Sequence, residues 1–287
     1  MKDVETHGPL EALLDKAIGG DVKPLYEFLC RVSGLPGVRV NGAIVEAFAV
    51  ACAARGKKSD ALLRTMAALH PDEAPGGTVL EFLPVCATAA IGARGASDER
   101  ARGSMLAMLH ELAEDMRFRV RDAVPEALAA IGARAGGALV EDVDGFMDGF
   151  FHAAAVLRAL ARPEWLTTLA DAEPVVERVR QAFALLDGAN RSARRYPGFK
   201  ALEDALVVVP RTLGPRFGAP LFASWAELAT TKDPDLAALI ARGIDDTSLR
   251  GRFADEVAAV KRALSDAAPV PRDPSRIVKG TRRRGRR

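Results

Sequence analysis

Three of the four histidines recur at nearly constant spacing. His70, His110 and His152 are separated by 40 and 42 residues, and His7 lies near the start of the chain. Imidazole is a frequent ligand of zinc, so this spacing raises the hypothesis of a shared metal site. Packed helices lie about 8 to 10 Å apart, whereas zinc-to-nitrogen bonds measure about 2.0 to 2.1 Å. We therefore predict that these histidines cannot share an ion, and we expect no metal and no cofactor.

Two pairs of acidic residues could in principle exchange protons with a substrate. They are Asp142 with Asp144, and Glu114 with Asp115. The acidic segment 141–148 lacks both the ligand order of a calcium-binding loop and its closing glutamate. The sequence contains no motif for a serine nucleophile, a phosphate-binding loop, a zinc protease or a dinucleotide site. We assign no catalytic residue and expect no enzymatic activity.

Basic residues are concentrated between Pro174 and Pro220, where eight stand against four acidic residues. Guanidinium groups bind phosphates and carboxylates, and three of these arginines lie next to Tyr196. The alternative is that these arginines pair with neighbouring acids such as Asp187 and Glu203. We predict a site here for nucleic acid or an acidic partner, with these residues as candidates: Arg191, Arg194, Arg195, Lys200, Arg211 and Arg216.

The end of the chain is strongly basic. Its last nine residues carry six positive charges and no negative charge. Without them the formal net charge of +2 becomes −4, so the body of the chain is acidic. We predict that residues 267–287, which are rich in proline and arginine, are disordered and attract polyanions. The candidate binding residues in this tail are Arg282, Arg283, Arg284, Arg286 and Arg287.

The 287 residues that must position these groups have a globular composition, 49% hydrophobic and 27% charged. That balance excludes a wholly disordered, collagen-like or disulfide-scaffold protein. Three cysteines without a C-x-x-C pair predict buried, reduced thiols rather than disulfides or a thiolate zinc site. The sequence suggests neither a signal peptide nor a membrane span, and we expect a cytoplasmic protein without membrane contact.

Apolar residues recur every three or four positions along almost the whole chain, which predicts an all-α protein. Asn41, Ser59, Thr78 and Ser97 are candidate helix caps, while Pro174 and Pro234 suit a first helical turn. The predicted helices cover residues 9–18, 22–32, 41–55, 59–70, 78–93, 97–114, 117–131, 138–161, 174–187, 199–209, 218–230, 234–243 and 247–265.

A short internal repeat accompanies the helical pattern. Residues 89–94 and 129–134 both read AAIGAR, 40 residues apart. This separation suits one helical hairpin, and Gly92 and Gly132 stand where a helix could stop. We therefore predict a repeat of helical hairpins.

Residues 115–132, DMRFRVRDAVPEALAAIG, resemble the second helix of a HEAT repeat, in which Asp opens the turn and a Val-Arg pair follows. The resemblance extends over about residues 59–265. It implies an α-solenoid of antiparallel helix pairs, and the order of its segments looks like that of a bacterial group of HEAT-type proteins without assigned function. We predict N-terminal helical hairpins over 1–58, a HEAT-like array over 59–266 and the basic tail from 267.

The HEAT-like group is similar in fold to helical-repeat DNA alkylation repair glycosylases, which use Trp and Asp residues on a concave surface. Trp165 with Asp171 is the candidate pair here, although a buried Trp that anchors a repeat is the simpler interpretation. The predicted function is a non-enzymatic scaffold that presents a curved surface to a protein or, alternatively, to nucleic acid. The alternative function is a glycosylase. A mixed or acidic groove would favour the scaffold, and a basic groove with an exposed Trp would favour the glycosylase.

Overall fold

The computed structural model describes residues 4–268, and their side chains from Pro9 onward. The described residues form helices and turns without any β-strand, which confirms the all-α prediction. The basic tail, including Arg282, Arg283, Arg284, Arg286 and Arg287, lies outside them, as does the side chain of His7. The α-helices in this part of the chain are α1 Val4–Ile18, α2 Lys23–Val32, α3 Gly42–Arg55, α4 Asp60–Ala67, α5 Phe82–Ser97, α6 Glu99–Ala113, α7 Phe118–Ala135, α8 Ala138–Asp142, α9 Phe150–Leu160, α10 Pro163–Leu166, α11 Glu173–Asp187, α12 Pro197–Val207, α13 Val209–Phe217, α14 Ala219–Leu228, α15 Pro234–Ile244, α16 Thr247–Arg252 and α17 Ala254–Ala267.

Several helix starts follow from single residues. The Asn41 side chain accepts a hydrogen bond from the Ile44 amide at the start of α3, as predicted. Pro174 and Pro234 occupy the first turns of α11 and α15, also as predicted. The other three proposed caps were wrong, because no capping hydrogen bond is made by Ser59 or Thr78 and Ser97 lies within α5.

Helix α6 is instead capped by Asp98, which accepts from the Arg100 amide. A carboxylate satisfies an exposed amide of the first turn as well as a hydroxyl does.

The helix predicted over 138–161 is broken into two. Helix α8 ends at Asp142, a 3-10 turn follows over Asp144–Asp148, and Gly149 is extended before α9 begins. Two glycines in five residues and a run of like charges oppose a continuous helix here. The interruption changes the direction of the chain just before His152.

The glycines of the AAIGAR repeat do not end their helices, contrary to our prediction. A Cβ atom on Gly92 would lie 2.6 Å from the Cα of Ala127, and one on Gly132 would lie 2.2 Å from the Trp165 ring. Both glycines lie inside helices, α5 and α7 respectively, at points where a neighbouring element packs against the backbone. The repeat therefore marks close helix approach rather than a helix stop.

The helices pack in a regular order of contacts. Helix α5 lies between α3 and α7, and the same series continues from α7 to α9, α12 and α15. A second series joins α11, α14 and α17 and contacts the first through α9 and α15. One continuous cluster of buried apolar side chains runs from Leu10 to Val260, so the N-terminal helices share the core of the rest.

Only one helical stretch in the described part of the chain, Val79–Ser97, is apolar and long enough to cross a membrane. Its mean hydropathy is 1.3, and 72% of it is buried inside the protein. Its burial is that of a core helix, consistent with its position between α3 and α7.

Candidate functional site

Arg194, at the centre of the predicted basic site, is held by acidic residues. Its guanidinium pairs with Asp233 and lies 3.4 Å from the Asp235 carboxylate. The hydrogen bond from Arg194 holds the pKa of Asp233 below its ordinary value, although burial opposes this shift. Both acids stand at the start of α15, far along the sequence from Arg194.

Three further members of the predicted site are also engaged. Lys200 Nζ lies 2.9 Å from Asp204 and 3.5 Å from Glu203. Arg211 lies 3.5 Å from Asp246, and Arg216 donates to the Leu169 carbonyl at 2.8 Å. Each of these cations therefore has a partner within the protein.

Arg191 and Arg195 are exposed and have no acidic partner among the described residues. The structure does not gather the six predicted residues into a free basic patch. The alternative pairing of these arginines with Asp187 and Glu203 is not found, because Glu203 pairs with Lys200 and Asp187 accepts a hydrogen bond from Thr231.

A groove of ≈280 Å³ between α7, α9 and α12 carries charges of both signs. Arg158 lies 3.6 Å from Asp122, and Lys200 faces Asp204, so each cation on this part of the wall has an acid beside it. Arg121 and Phe151 line the same groove. Its mixed charge is a poor match for a polyanion.

The N-terminal ends of the first series of helices lie along one edge of the molecule. Arg119, in the first turn of α7, donates to the Glu81 carboxylate at 2.9 Å and to the Gly37 carbonyl at 3.5 Å. These contacts join the start of α7 to the segments that lead into α5 and α3. We call this surface the N-terminal edge.

The same edge continues to α9 and α12. The Arg121 guanidinium lies 4.5 Å from the centre of the Phe151 ring, which meets the Tyr196 ring edge-on at 5.5 Å. Phe151 is in the first turn of α9, and Tyr196 immediately precedes α12. Aromatic and cation–π contacts thus connect the helix starts along the row.

Exposed apolar side chains are concentrated on the N-terminal edge. Six large apolar side chains are exposed among the residues whose side chains are described, and five of them lie on this edge. Met116 is 82% exposed and Phe118 52%. The five are Val38, Leu80, Met116, Phe118 and Tyr196, and the sixth, Val50, lies within α3.

The tryptophans do not form the surface that the glycosylase alternative requires. Trp165 is fully buried over Gly132 and donates from Nε1 to the Gly136 carbonyl at 3.1 Å. Asp171 accepts from the Glu173 amide at the start of α11, and Trp225 is fully buried. Trp165 therefore anchors α10 against α7.

In each predicted carboxylate pair, one member is bound to an arginine. Asp144 pairs with Arg178, which lowers the pKa of that carboxyl group. Asp115 binds the buried Arg117 guanidinium at 2.5 Å, while Glu114 is exposed.

Two of the histidines meet, contrary to our expectation from helix spacing. The rings of His110 and His152 are stacked with centroids 3.8 Å apart, and Asp148 contacts both. Our estimate assumed equivalent positions on successive helices. His110 is instead in the last turn of α6, while the break at Gly149 brings His152 into the first turn of α9 beside it.

All three cysteines are free, as predicted, but the predicted burial holds for only two of them. Cys52 and Cys86 are buried, and burial raises the pKa of Cys52 to about 12. Cys30 is half-buried.

Comparison with known proteins adds no family to these observations. No family model matches the chain, and no curated protein matches it significantly in sequence. Its function must therefore be inferred from its own residues.

Proposed function

We propose that this chain is a non-enzymatic scaffold of HEAT-like helix pairs that binds a protein partner along its N-terminal edge. The observation that carries the proposal is the concentration of exposed apolar side chains on that edge. Five of the six exposed large apolar side chains among the described residues share this one edge, a bias that a partner surface would explain. The ordered contacts from α3 to α15 are those expected of a repeat array, in which each unit packs mainly on its neighbours.

The chemistry of the N-terminal edge favours a partner segment that is both apolar and acidic. Arg39 and Arg195 are exposed there, and neither has an acidic partner in the described part of the chain. Arg39 follows Val38, and Arg195 precedes Tyr196, so a cation stands beside an exposed apolar side chain at each place. Such pairs suit a polypeptide that alternates apolar side chains with carboxylates.

Two observations weigh against the glycosylase alternative. Both tryptophans are buried, so neither can stack on an extruded base. The groove between α7, α9 and α12 has mixed charge, whereas a DNA-binding groove needs unpaired cations along its length.

A phage-displayed library of random peptides tests the proposal. The immobilised full chain should enrich peptides in which Asp or Glu alternates with large apolar residues. A triple variant, Met116→Ser, Phe118→Ser and Tyr196→Ser, should lose at least about tenfold in affinity, since apolar side chains at an interface centre carry most of the binding energy.

Val50→Ser is the matched control, because it removes an exposed apolar side chain from α3 and should leave binding unchanged. Equal loss in the control and the triple variant, or enrichment of basic peptides, would contradict the proposal.

A further inference from the structure

A compact group of three ligand-type side chains lies where α6 meets α9. His110 Nε2 is 3.0 Å from Asp148 Oδ2, and His152 Nδ1 is 3.0 Å from Asp148 Oδ1. The ligand atoms of all three residues lie within 4.8 Å of one another. Two imidazoles and one carboxylate form a ligand set used for zinc and related divalent transition metals.

The hydrogen bond on the far side of His152 determines which nitrogen carries its proton. His152 Nε2 lies 3.0 Å from the His110 carbonyl oxygen, which can only accept, so Nε2 is the donor. In the neutral ring Nδ1 then presents a lone pair, and that buried atom has no hydrogen-bond partner. The Asp148 carboxylate lies 3.0 Å from Nδ1, to the side of the lone-pair direction, so an ion bound to Nδ1 would have a carboxylate oxygen within reach as a second ligand.

A proton fits this position poorly. Although Asp148 Oδ1 is close, it lies outside the direction in which Nδ1 could donate, so His152 Nδ1 has no hydrogen-bond partner. The hydrogen bonds of the ring thus fit a neutral imidazole that donates from Nε2 and keeps Nδ1 available to an ion.

The distances from the two histidine nitrogens to Asp148 suit a shared coordination shell. Two ligands with metal bonds of about 2.1 Å, at angles between a right angle and the tetrahedral angle, lie about 3.0 to 3.4 Å apart. The nitrogen-to-carboxylate distances of 3.0 to 3.1 Å fall at the near end of that range. The rings are stacked at an interplanar angle of 12°, so an ion bound to both would turn their nitrogens toward each other and open the stack.

The surroundings hold the ligands and leave one side open. The His110 carbonyl orients the His152 ring as an outer partner orients metal-binding histidines. Because Gly149 has no side chain, the space beside His152 Nδ1 is open, and a Cβ atom on Gly149 would lie only 2.5 Å from that nitrogen. On the other side His110 lines an open cleft of ≈720 Å³ together with Phe146 and Glu111, which gives an ion access from solvent.

We propose that His110 Nε2, the Asp148 carboxylate and His152 Nδ1 bind one divalent transition-metal ion of the zinc class. The ion would join α6 to α9 and keep at least one position open toward the cleft. This site is independent of the N-terminal edge and does not require a protein partner.

Titration of the untagged, metal-free full chain with Zn²⁺, in competition with a chromophoric chelator, tests the proposal. We expect one ion per chain. His110→Gln and Asp148→Asn each remove a ligand. Loss of an outer-shell partner weakens metal binding by up to about 100-fold, so loss of a ligand should weaken it by at least that much. Gly149→Ala should weaken it too, because the added methyl group blocks the approach to Nδ1 while the extended backbone there suits any residue.

His70→Gln is the matched control. His70 also has a carboxylate nearby, with Nδ1 3.3 Å from Asp72, but both side chains are exposed and no third ligand joins them. This variant should bind Zn²⁺ as the wild type does. Thermal unfolding of each variant without metal checks that the fold is intact, and the exposed position of Asp148 makes Asp148→Asn the variant least able to disturb it.

Cobalt supplies a second readout that depends on the ligands themselves. Co²⁺ bound by two imidazoles and a carboxylate should give visible ligand-field bands, and these should disappear in His110→Gln. The proposal is overturned if the wild type binds no Zn²⁺, or if the three site variants bind it as tightly as His70→Gln does.

Discussion

Arg194 illustrates why a local excess of basic residues is a weak guide to a binding site. Its neighbours in sequence include few acids, yet its guanidinium is paired with Asp233 and lies near Asp235, about forty positions further on. Pairing of this kind depends on which helices pack together, and the composition of one segment carries no information about it. The exposed Arg191 and Arg195 differ from Arg194 in that no acidic side chain of a neighbouring helix pairs with them among the described residues.

Asp233 provides a pH-dependent test of this pairing. It also caps α15 by accepting from the Asp235 and Leu236 amides. Because the folded-state pKa of Asp233 is lowered from 3.8, its stabilising effect is fully present above that pH and is lost as the pH falls through the lowered value.

We expect Asp233→Asn to lower the free energy of unfolding at neutral pH, with a difference from the wild type that shrinks below pH 3.8. Asparagine can still cap the helix, so this change isolates the charge. Chemical denaturation at a series of pH values measures the difference. A gap that stays constant down to pH 2 would show that the charge of Asp233 contributes nothing.

At the scale of the helix, periodicity and turn residues predicted most of the elements. Asn41, Pro174 and Pro234 mark helix starts because their effects are local and need no tertiary partner. Prediction failed where tertiary contacts decide. Gly132 looks like a helix stop in sequence, but it is retained inside α7 because the Trp165 ring occupies the place of its side chain.

The two candidate sites were missed for related reasons. Asp148 and His152 stand four positions apart, a spacing that sequence could have offered as a ligand pair, but His110 joins them only because the chain breaks at Gly149. The sequence pattern of apolar residues likewise does not predict that Met116 and Phe118 are exposed. They are exposed because no neighbouring helix covers them, and that depends on the tertiary arrangement.

Gly132→Ala tests the role of the repeated glycines. A Cβ atom 2.2 Å from the Trp165 ring forces the ring or α7 to move, and we expect a loss of about 1 to 3 kcal/mol in the free energy of unfolding. Gly103→Ala is the matched control in α6, where a Cβ atom would meet nothing within 4 Å.

The control should raise the free energy of unfolding by about 0.5 to 1 kcal/mol, since alanine favours the helix over glycine. Denaturant titrations of both variants give the comparison. Similar stabilisation by both changes would refute the close approach of Trp165 to α7.

For the whole molecule, the distribution of charge separates the tail from the body. The last nine residues carry six positive charges, and the remaining residues have a net charge of −4. A short cationic segment binds any polyanion by releasing counterions, without selecting a sequence. Binding of DNA to this chain would therefore reveal little about the folded part.

We expect the full chain to bind duplex DNA weakly and to lose most of that affinity when Arg282, Arg283, Arg284, Arg286 and Arg287 are all changed to Gln. The matched control is Arg191→Gln with Arg195→Gln, which removes two exposed cations of the predicted basic site and should change the affinity little. Fluorescence anisotropy with a labelled duplex at two salt concentrations measures both. If the control loses more affinity than the tail variant, the folded body is the nucleic-acid site.

The parallel arrangement of helix starts on the N-terminal edge also has an electrostatic consequence. Each helix carries a dipole equivalent to about half a positive charge at its N-terminus. Because α5, α7, α9 and α12 begin side by side, these partial charges add along the row even where the arginines are paired with Glu81 and Asp115. An acidic segment approaching the otherwise acidic body would thus be drawn to this edge before contact, and added salt would slow its association more than it would hasten its release.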